Sequence, residues 1–458
     1  MELHVRCSRA RALWRLSIAL LAASLYGAAG AHAATSRASN SRSSVSNPQP
    51  KLTDDDFVVA ISTASSRLVL AQGTRAWREG MRTLIMTSNE TEVPHLNKVY
   101  AKYQERYEYF PDENEPDPKK WHAKFPGDFR AAVAPFAAHR HYGDGYKWML
   151  YGDDDTVFFL PGVRRMLAQF DPELPLALSD NLWHDSRHPR LEAFRCLPCG
   201  FDTSKLPAAQ LRTNNSYVPR AACPHCTREQ ACPPGRPDCA ITGAHGGAGM
   251  IFSVGLLRQA ALSYDNALAC MRSIFGCSGG DGLVSQCLWR AGYGFTDPGH
   301  SLLHEEPYRH VLFDNMDGRW FLKDPIGQLV VGNCDEQCQK GLKHAVSYHV
   351  RGKSYPSFPK AAAFMYGVVE AHGAALDFID LSADTAGRAG RHVGHRVLPA
   401  RHAADPHTQQ IQAELAGAGV SGPAARKVED AGEDKGAEKK GKAGEEEKRL
   451  RKKQQRHH

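Results

Sequence analysis

Three consecutive carboxylates, Asp153-Asp154-Asp155, stand where an apolar run ending in Trp148-Met149-Leu150-Tyr151 stops and another, from Val157 to Leu160, begins. Adjacent carboxylates repel one another, and beside a buried strand they are costly unless a cation or water reaches them. Side chains two apart on an extended segment point to the same side, so Asp153 and Asp155 can hold a hard divalent ion together, its other ligands being diphosphate oxygens. The bland alternative is a solvated acidic turn with an Asp capping a helix. A second carboxylate, Asp281 in Gly279-Gly280-Asp281-Gly282, precedes a helical apolar stripe of Leu283, Val284, Cys287 and Leu288, which places it at a helix N-terminus. The run Gly246-Gly247-Ala248-Gly249 is either a simple turn or a place where backbone approaches a sugar or phosphate closely.

Cysteines offer a different chemistry. Cys196-x2-Cys199 and Cys223-x2-Cys226 have 23 residues between them, a spacing that suits a zinc ribbon or two disulfides. In an oxidising compartment disulfides are expected, with Cys232 and Cys239 joining in. Cys270 with Cys277 and Cys334 with Cys338 are local pairs, which leaves Cys287 as a free buried thiol.

Positioning these groups takes a scaffold, and the chain alternates strand and helix patterns. Phe57–Ile61, Thr83–Met86, Lys147–Tyr151 and Gly249–Ser253 are short apolar runs that read as buried strands. Leu68–Trp77, Asp128–His139 and the residues from Val254 onward read as helix. That alternation predicts an α/β layer fold with a mostly parallel sheet, whose ligands sit at the carboxyl ends of strands. The pattern breaks into a Cys/Pro-rich insert at 190–245, inside a folded body of 53–385.

The ends read differently. Residues 1–34 combine Arg6, Arg9, Arg11 and Arg15 with an apolar run and Ala31-His32-Ala33-Ala34, as in a cleaved signal peptide or a type II signal anchor. Residues 35–52 read as a flexible stem, and 386–458 as a low-complexity charged tail. Twelve cysteines and the sequons Asn89-Glu90-Thr91 and Asn214-Asn215-Ser216 agree with entry into the secretory lumen. Contact with a membrane is expected only through an uncleaved N-terminal segment. With 42% hydrophobic and 23% charged residues the composition is globular, which excludes a wholly disordered chain and a multi-span membrane protein. The net charge of +7 resides in residues 1–15 and 426–458; residues 16–425 carry none, so no nucleic-acid partner is implied.

Two enzyme classes place carboxylates this way. The spacing Asp153-x-Asp155-x-Val157 fits haloacid-dehalogenase-like phosphatases, with Asp153 as nucleophile and Asp155 as acid/base. There the motif lies on the first strand of the domain, whereas here about a hundred residues precede it. The other class is more specific. Phe57–Ser62, Arg67 with the Trp77 helix and Leu84–Thr87, then Trp148–Val157, Gly246–Ser253, Gly279–Gly282 and Val346–Val350 follow one another in an order that resembles the Fringe-like β-1,3-glycosyltransferases (glycosyltransferase family 31 and relatives) over about residues 55–360. The resemblance implies a GT-A-type, Rossmann-like nucleotide-sugar transferase fold in a single catalytic domain. It implies an inverting hexosyltransferase of the Golgi lumen that moves a sugar from a UDP-sugar to a glycan or glycoprotein acceptor. Asp153, Asp155 and His349 then hold Mn2+ or another divalent cation, with His300 and His304 as rivals for the histidine. Asp153, Asp154, Gly247 and Gly249 contact the donor, and Asp281 is the general base. The family often carries two acidic residues where this chain has Gly280-Asp281. A non-catalytic glycan-binding relative would share the same pattern.

Overall fold

The computed structural model describes residues 51–113, 127–184, 195–202, 204, 219–232, 241–274, 279–299, 312–314 and 345–369. The N-terminal segment, most of the stem, the charged tail, and Cys239, Cys277, His300, His304, Cys334 and Cys338 lie outside them. Among the described residues no helix is long and apolar enough to cross a membrane.

Alternation of side chains on strand β1 (Phe57–Ser62) explains the layering. Phe57, Val59 and Ile61 enter one apolar cluster, with Leu70, Trp77, Phe158 and the helix at 358–369, while Val58 and Ala60 enter another on the opposite face. A strand buried on both faces has to be a continuous apolar run, as this one is. Beside β1 lie β2 (Arg82–Thr87), then β3 (Glu105–Tyr109), and on its other side β4 (Trp148–Asp153), all parallel. After β4 come β5 (Thr156–Phe158), β6 (Ala177–Leu178), β7 (Leu182–His184), β8 (Arg195–Leu197), β9 (Pro219–Ala221), β10 (Thr242–Ala244), β11 (Met250–Ser253), β12 (Phe295–Thr296), β13 (Phe313–Asp314) and β14 (Ser347–His349). The main sheet has nine strands in the order β3-β2-β1-β4-β11-β6-β12-β8-β9. Only β11 in it runs antiparallel to its neighbours. Strands β13-β14-β5 form a small separate sheet, and β7 pairs with β10. The fold is therefore α/β with a sheet dominated by parallel pairs.

The helices follow the apolar patterns with two breaks. The helix expected from Val254 onward is a single turn, Val254–Leu257, and the next α-helix starts only at Tyr264. The expected helix over Leu68–Trp77 is two, Leu68–Gly73 and Arg75–Arg78, joined at Thr74. The alanine-rich helix Gly127–Tyr142 lies against β1 and β2, and its small side chains let the Gly280–Arg290 helix approach closely. A Cβ on Gly280 would stand 2.8 Å from the Asp128 carbonyl oxygen and 3.0 Å from the Ala131 Cβ. A side chain at position 280 would therefore meet the backbone of the Gly127–Tyr142 helix.

A buried ionic cluster locks β3 to the first helices. Glu105 accepts from Arg75 Nε at 2.8 Å, Arg78 Nη1 at 2.6 Å and the Tyr107 hydroxyl at 2.8 Å, and Arg75 also stacks on Tyr100 and Tyr103. Burial alone would push the Glu105 carboxyl up, but Arg78 and Arg75 hold it at about 2, against an ordinary value of 4.5. Its contribution to stability is thus complete above pH 4.5 and is lost as pH falls toward 2. Glu105→Gln strands two buried guanidinium groups and is expected to cost ~3–5 kcal/mol. A urea titration at pH 7 checks it; a loss under ~1 kcal/mol would mean that the cluster is solvated.

The Cys/Pro-rich insert is part of the sheet. Strands β8 and β9 extend it beyond β12, and two disulfides, Cys196–Cys226 and Cys199–Cys223, link the two CxxC pairs crosswise, tying β8 and the residues after it to the segment that follows β9. These sulfurs are bonded to one another, so the zinc ribbon is not formed. Cys232 is also disulfide-bonded. Cys270 pairs with Cys287, with a Cα–Cα distance of 5.9 Å, which corrects the expected Cys270–Cys277 pair and the free thiol at 287. The reason is helical geometry: the Tyr264–Ile274 and Gly280–Arg290 helices pack side by side, and each presents one cysteine to the other. No described cysteine is free.

Candidate functional site

The chain runs from β1 outward through β2 and β3, then returns to place β4 on the other side of β1. The crevice at the carboxyl ends of β1 and β4 is where a doubly wound sheet reverses direction, and ligands bind in such crevices. Ser62 and Asp153 are register partners at that point. The residues that follow each strand, Thr63 to Arg67 and Asp154-Asp155, meet across it.

A tight turn over Asp154-Asp155 joins β4 to β5. Thr156 closes it, because its hydroxyl accepts from the Asp153 amide at 3.0 Å and donates to the Gly247 carbonyl at 2.9 Å. Gly152 has no room for a Cβ, which would lie 2.8 Å from Thr156. The three carboxylates then diverge. Asp154 points to the strand β1 side, where the Thr63 hydroxyl donates to it at 2.8 Å and Arg67 Nε at 2.9 Å. Arg67 also donates to Asp155 Oδ2 at 3.2 Å, and the Gly352 amide donates to the same oxygen at 2.7 Å.

Asp153, Asp155 and His349 come together: one ligand atom from each lies within 4.8 Å of the others. His349 is brought in by β14, which pairs antiparallel with β5 so that His349 stands opposite Thr156. Asp155 Oδ1 is 3.2 Å from His349 Nε2. Among the described residues this buried oxygen has no polar partner other than the histidine nitrogen beside it. Ligand atoms about 3 Å apart are within the span of adjacent positions around an ion with ~2.1 Å bonds. Charge points the same way. Burial and the neighbouring Asp155 push the Asp153 carboxyl up to about 7. Burial would raise Asp155 as well, but His349, Arg67 and the Gly352 amide hold it well below the usual carboxylate range. An ionised Asp155 beside a repelled Asp153 is a site that a divalent cation relieves. The residues present therefore fit a metal.

The glycine loop roofs this cluster. A Cβ on Gly247 would lie 2.2 Å from His349 Cε1 and 2.3 Å from Nδ1, so the missing side chain makes room for the histidine ring. Gly249, at φ +84, leaves the same kind of space for Phe158, whose Cζ would be 2.6 Å from a Cβ. The bare backbone at both positions thus accommodates the protein's own side chains. Gly246 lies between the two acidic elements: its Cβ position is 3.0 Å from Asp281 Cβ and 3.9 Å from Asp153 Oδ1. Its amide donates to Asp281 Oδ2 at 3.2 Å, while Asp281 Oδ1 accepts from the Gly282 amide at 2.8 Å. Asp281 is thus at the first turn of its helix and faces the same space as Asp153.

The structure therefore gathers Asp153, Asp155, Asp281, Gly247 and His349 in one crevice, with Asp154 turned to Arg67 and Gly249 to Phe158. Sequence reasoning gave no chemical role to Arg67, whose buried Nη1 has no hydrogen-bond partner, or to the Gly352 amide. It also passed over Asp180 and Asn181. Leu176-Ala177-Leu178 running into Ser179-Asp180 is the same signal, an apolar strand ending in a carboxylate, that singled out Asp153.

No family model and no curated protein matches the chain. Among solved structures it is similar to a glycosyltransferase involved in the glycosylation of the major capsid of PBCV-1, at 11% identity over 68% of this chain and 98% of that one, with a TM-score of 0.20. It is also similar to S. aureus TarS 1-349, at 9% identity over 75% and 94% with a TM-score of 0.21, and to the same protein in complex with UDP-GlcNAc, at 10% identity over 71% and 92% with a TM-score of 0.21. Identities and TM-scores this low carry no inference about activity.

Proposed function

We propose that this protein is a metal-dependent, inverting glycosyltransferase that uses a UDP-sugar, is related to the Fringe-like enzymes and forms a β-1,3 linkage to a glycan or glycoprotein acceptor. The observation that carries the reading is the grouping of Asp153, Asp155 and His349, one ligand atom of each within 4.8 Å of the others, at the switch of the sheet, with Asp281 across Gly246 from it. Mn2+ held there would neutralise the charge that grows on the diphosphate as it leaves. The unpartnered Arg67 Nη1 supplies a further N–H donor for a phosphate oxygen. Asp281 takes the proton from the acceptor hydroxyl; that oxygen forms the new bond to the anomeric carbon from one face, and the bond to the β-phosphate breaks on the other. The electron pair of that bond leaves with UDP. Gly247 and Thr156 hold His349 and the turn in place.

Disulfides among the described residues support a lumenal compartment, since such bonds persist where the surroundings oxidise. With the N-terminal sequence, this supports a Golgi protein that is either anchored by its first segment or secreted.

The test is a panel of UDP-sugars with and without Mn2+, with an aryl phosphate alongside. Release of UDP only with Mn2+ is the expected result. Phosphate release from the aryl ester would instead favour the phosphatase reading. Mn2+ and glycan binding without turnover would make the protein a binding relative.

A further inference from the structure

Two of the three groups gathered at the candidate metal site belong to different sheets. Asp153 ends β4 in the main sheet, whereas His349 ends β14 in the small one. A divalent ion tolerates errors of a few tenths of an ångström in its ligand positions, so something must fix one sheet against the other. On one side the turn at Asp154-Asp155 does so covalently. On the other, β13 lies parallel to β14, with Phe313 opposite Ser347, and the Leu312 carbonyl accepts from the amides of Val346 and Ser347. Among the described residues strand β13 has no strand partner beyond it. There the main sheet offers side chains. Asp180, 2% exposed and just past the end of β6, accepts from the Leu312 amide at 2.7 Å and the Phe313 amide at 3.0 Å, one on each oxygen. Asn181 Nδ2 donates to the Phe313 carbonyl at 2.8 Å. The Asn181 carbonyl in turn accepts from the amide of His245, which leads into the glycine loop that packs on the His349 ring.

We infer that Asp180 and Asn181 are positioning residues for the metal site, which stitch β13 to the main sheet and so fix where His349 stands relative to Asp153 and Asp155. This rests on the metal reading proposed above. A carboxylate is suited to the task because it accepts two consecutive amides at once. An amide side chain at 180 would turn a donor against one of them.

The experiment is Mn2+ titration of the intact protein, followed by electron paramagnetic resonance, on the wild type, Asp180→Asn and Asn181→Ala. The wild type is expected to show nitrogen hyperfine coupling from His349. Asp180→Asn should weaken Mn2+ by ~10–100-fold, the scale of lost outer-shell partners, and lose or diminish that coupling. Asn181→Ala should move both in the same direction by less. A general loss of stability would not remove the nitrogen coupling from the protein that still binds. An Asp180→Asn variant with wild-type affinity and coupling overturns the inference. Should that variant fail to give a cooperative melt, wild-type affinity and coupling in Asn181→Ala overturns it instead. A wild type that binds no Mn2+ overturns the metal reading and the inference with it.

Discussion

Replacing Asp155 by Asn is expected to abolish Mn2+-dependent binding of UDP while the protein still melts cooperatively. The two oxygens of Asp155 have different duties. Oδ2 accepts from the Gly352 amide and Arg67, which an asparagine carbonyl can continue to do. Oδ1 is buried, and its one polar partner among the described residues is His349 Nε2 at 3.2 Å. An amide nitrogen there has its lone pair tied up and its hydrogens directed at the ion, so it does not ligate. Loss of a direct ligand should exceed the ~10–100-fold effect of losing an outer-shell partner. The fold should tolerate the change, because Asn also removes the repulsion that pushes Asp153 upward. Calorimetry with UDP and Mn2+ measures the binding, and a thermal melt measures the fold. Unchanged UDP affinity would remove Asp155 from the metal.

The parts of the site that lie within one strand and its turn were legible in the sequence. An apolar strand ending in carboxylates announces itself because period-two geometry and charge repulsion act between neighbours. The strands expected at Phe57–Ile61, Thr83–Met86 and Gly249–Ser253 were legible because burial on both faces demands mainly apolar residues. His349 was reached only through family resemblance, since nothing in Ser347-Tyr348-His349 distinguishes it from a histidine on any other strand. Strands β6 and β12, two residues each, are too short to carry a period. The disulfide partner of Cys270 lay across a helix pair rather than along the chain, so local spacing pointed to the wrong residue. Asp180 acts on backbone amides more than 130 residues away, and no composition or spacing marks the receiving end of such a contact. Gly280 shows the converse: a glycine that sequence alone leaves unexplained meets a packing requirement once the Asp128 carbonyl is seen 2.8 Å from its Cβ position.

Asp281→Asn is expected to lower turnover by ~10²–10⁴, the span of lost general-base catalysis, with Mn2+ and UDP binding retained. Each oxygen of Asp281 accepts one amide, Oδ1 from Gly282 and Oδ2 from Gly246. Asparagine keeps the shorter bond to Gly282 and loses the 3.2 Å bond to Gly246, a cost of about 1 kcal/mol. It keeps no basic oxygen lone pair that can hold a proton. A base and a loop anchor therefore separate cleanly. If Asp281 only anchors Gly246, the glycine loop loosens on His349, and Mn2+ affinity falls in step with activity in both the Asn and Ala variants. If Asp281 is the base, kcat falls in both while the affinity for Mn2+ and UDP holds in the Asn variant. Transfer kinetics, Mn2+ titration and thermal melts on the two variants make the comparison. A fully active Asn variant contradicts the base assignment. Asp297 does not inherit the role, because it is sealed from solvent and its two oxygens are engaged by Arg195 and the Gly299 amide. Glu305 and Glu306, outside the described residues, would be the next to substitute.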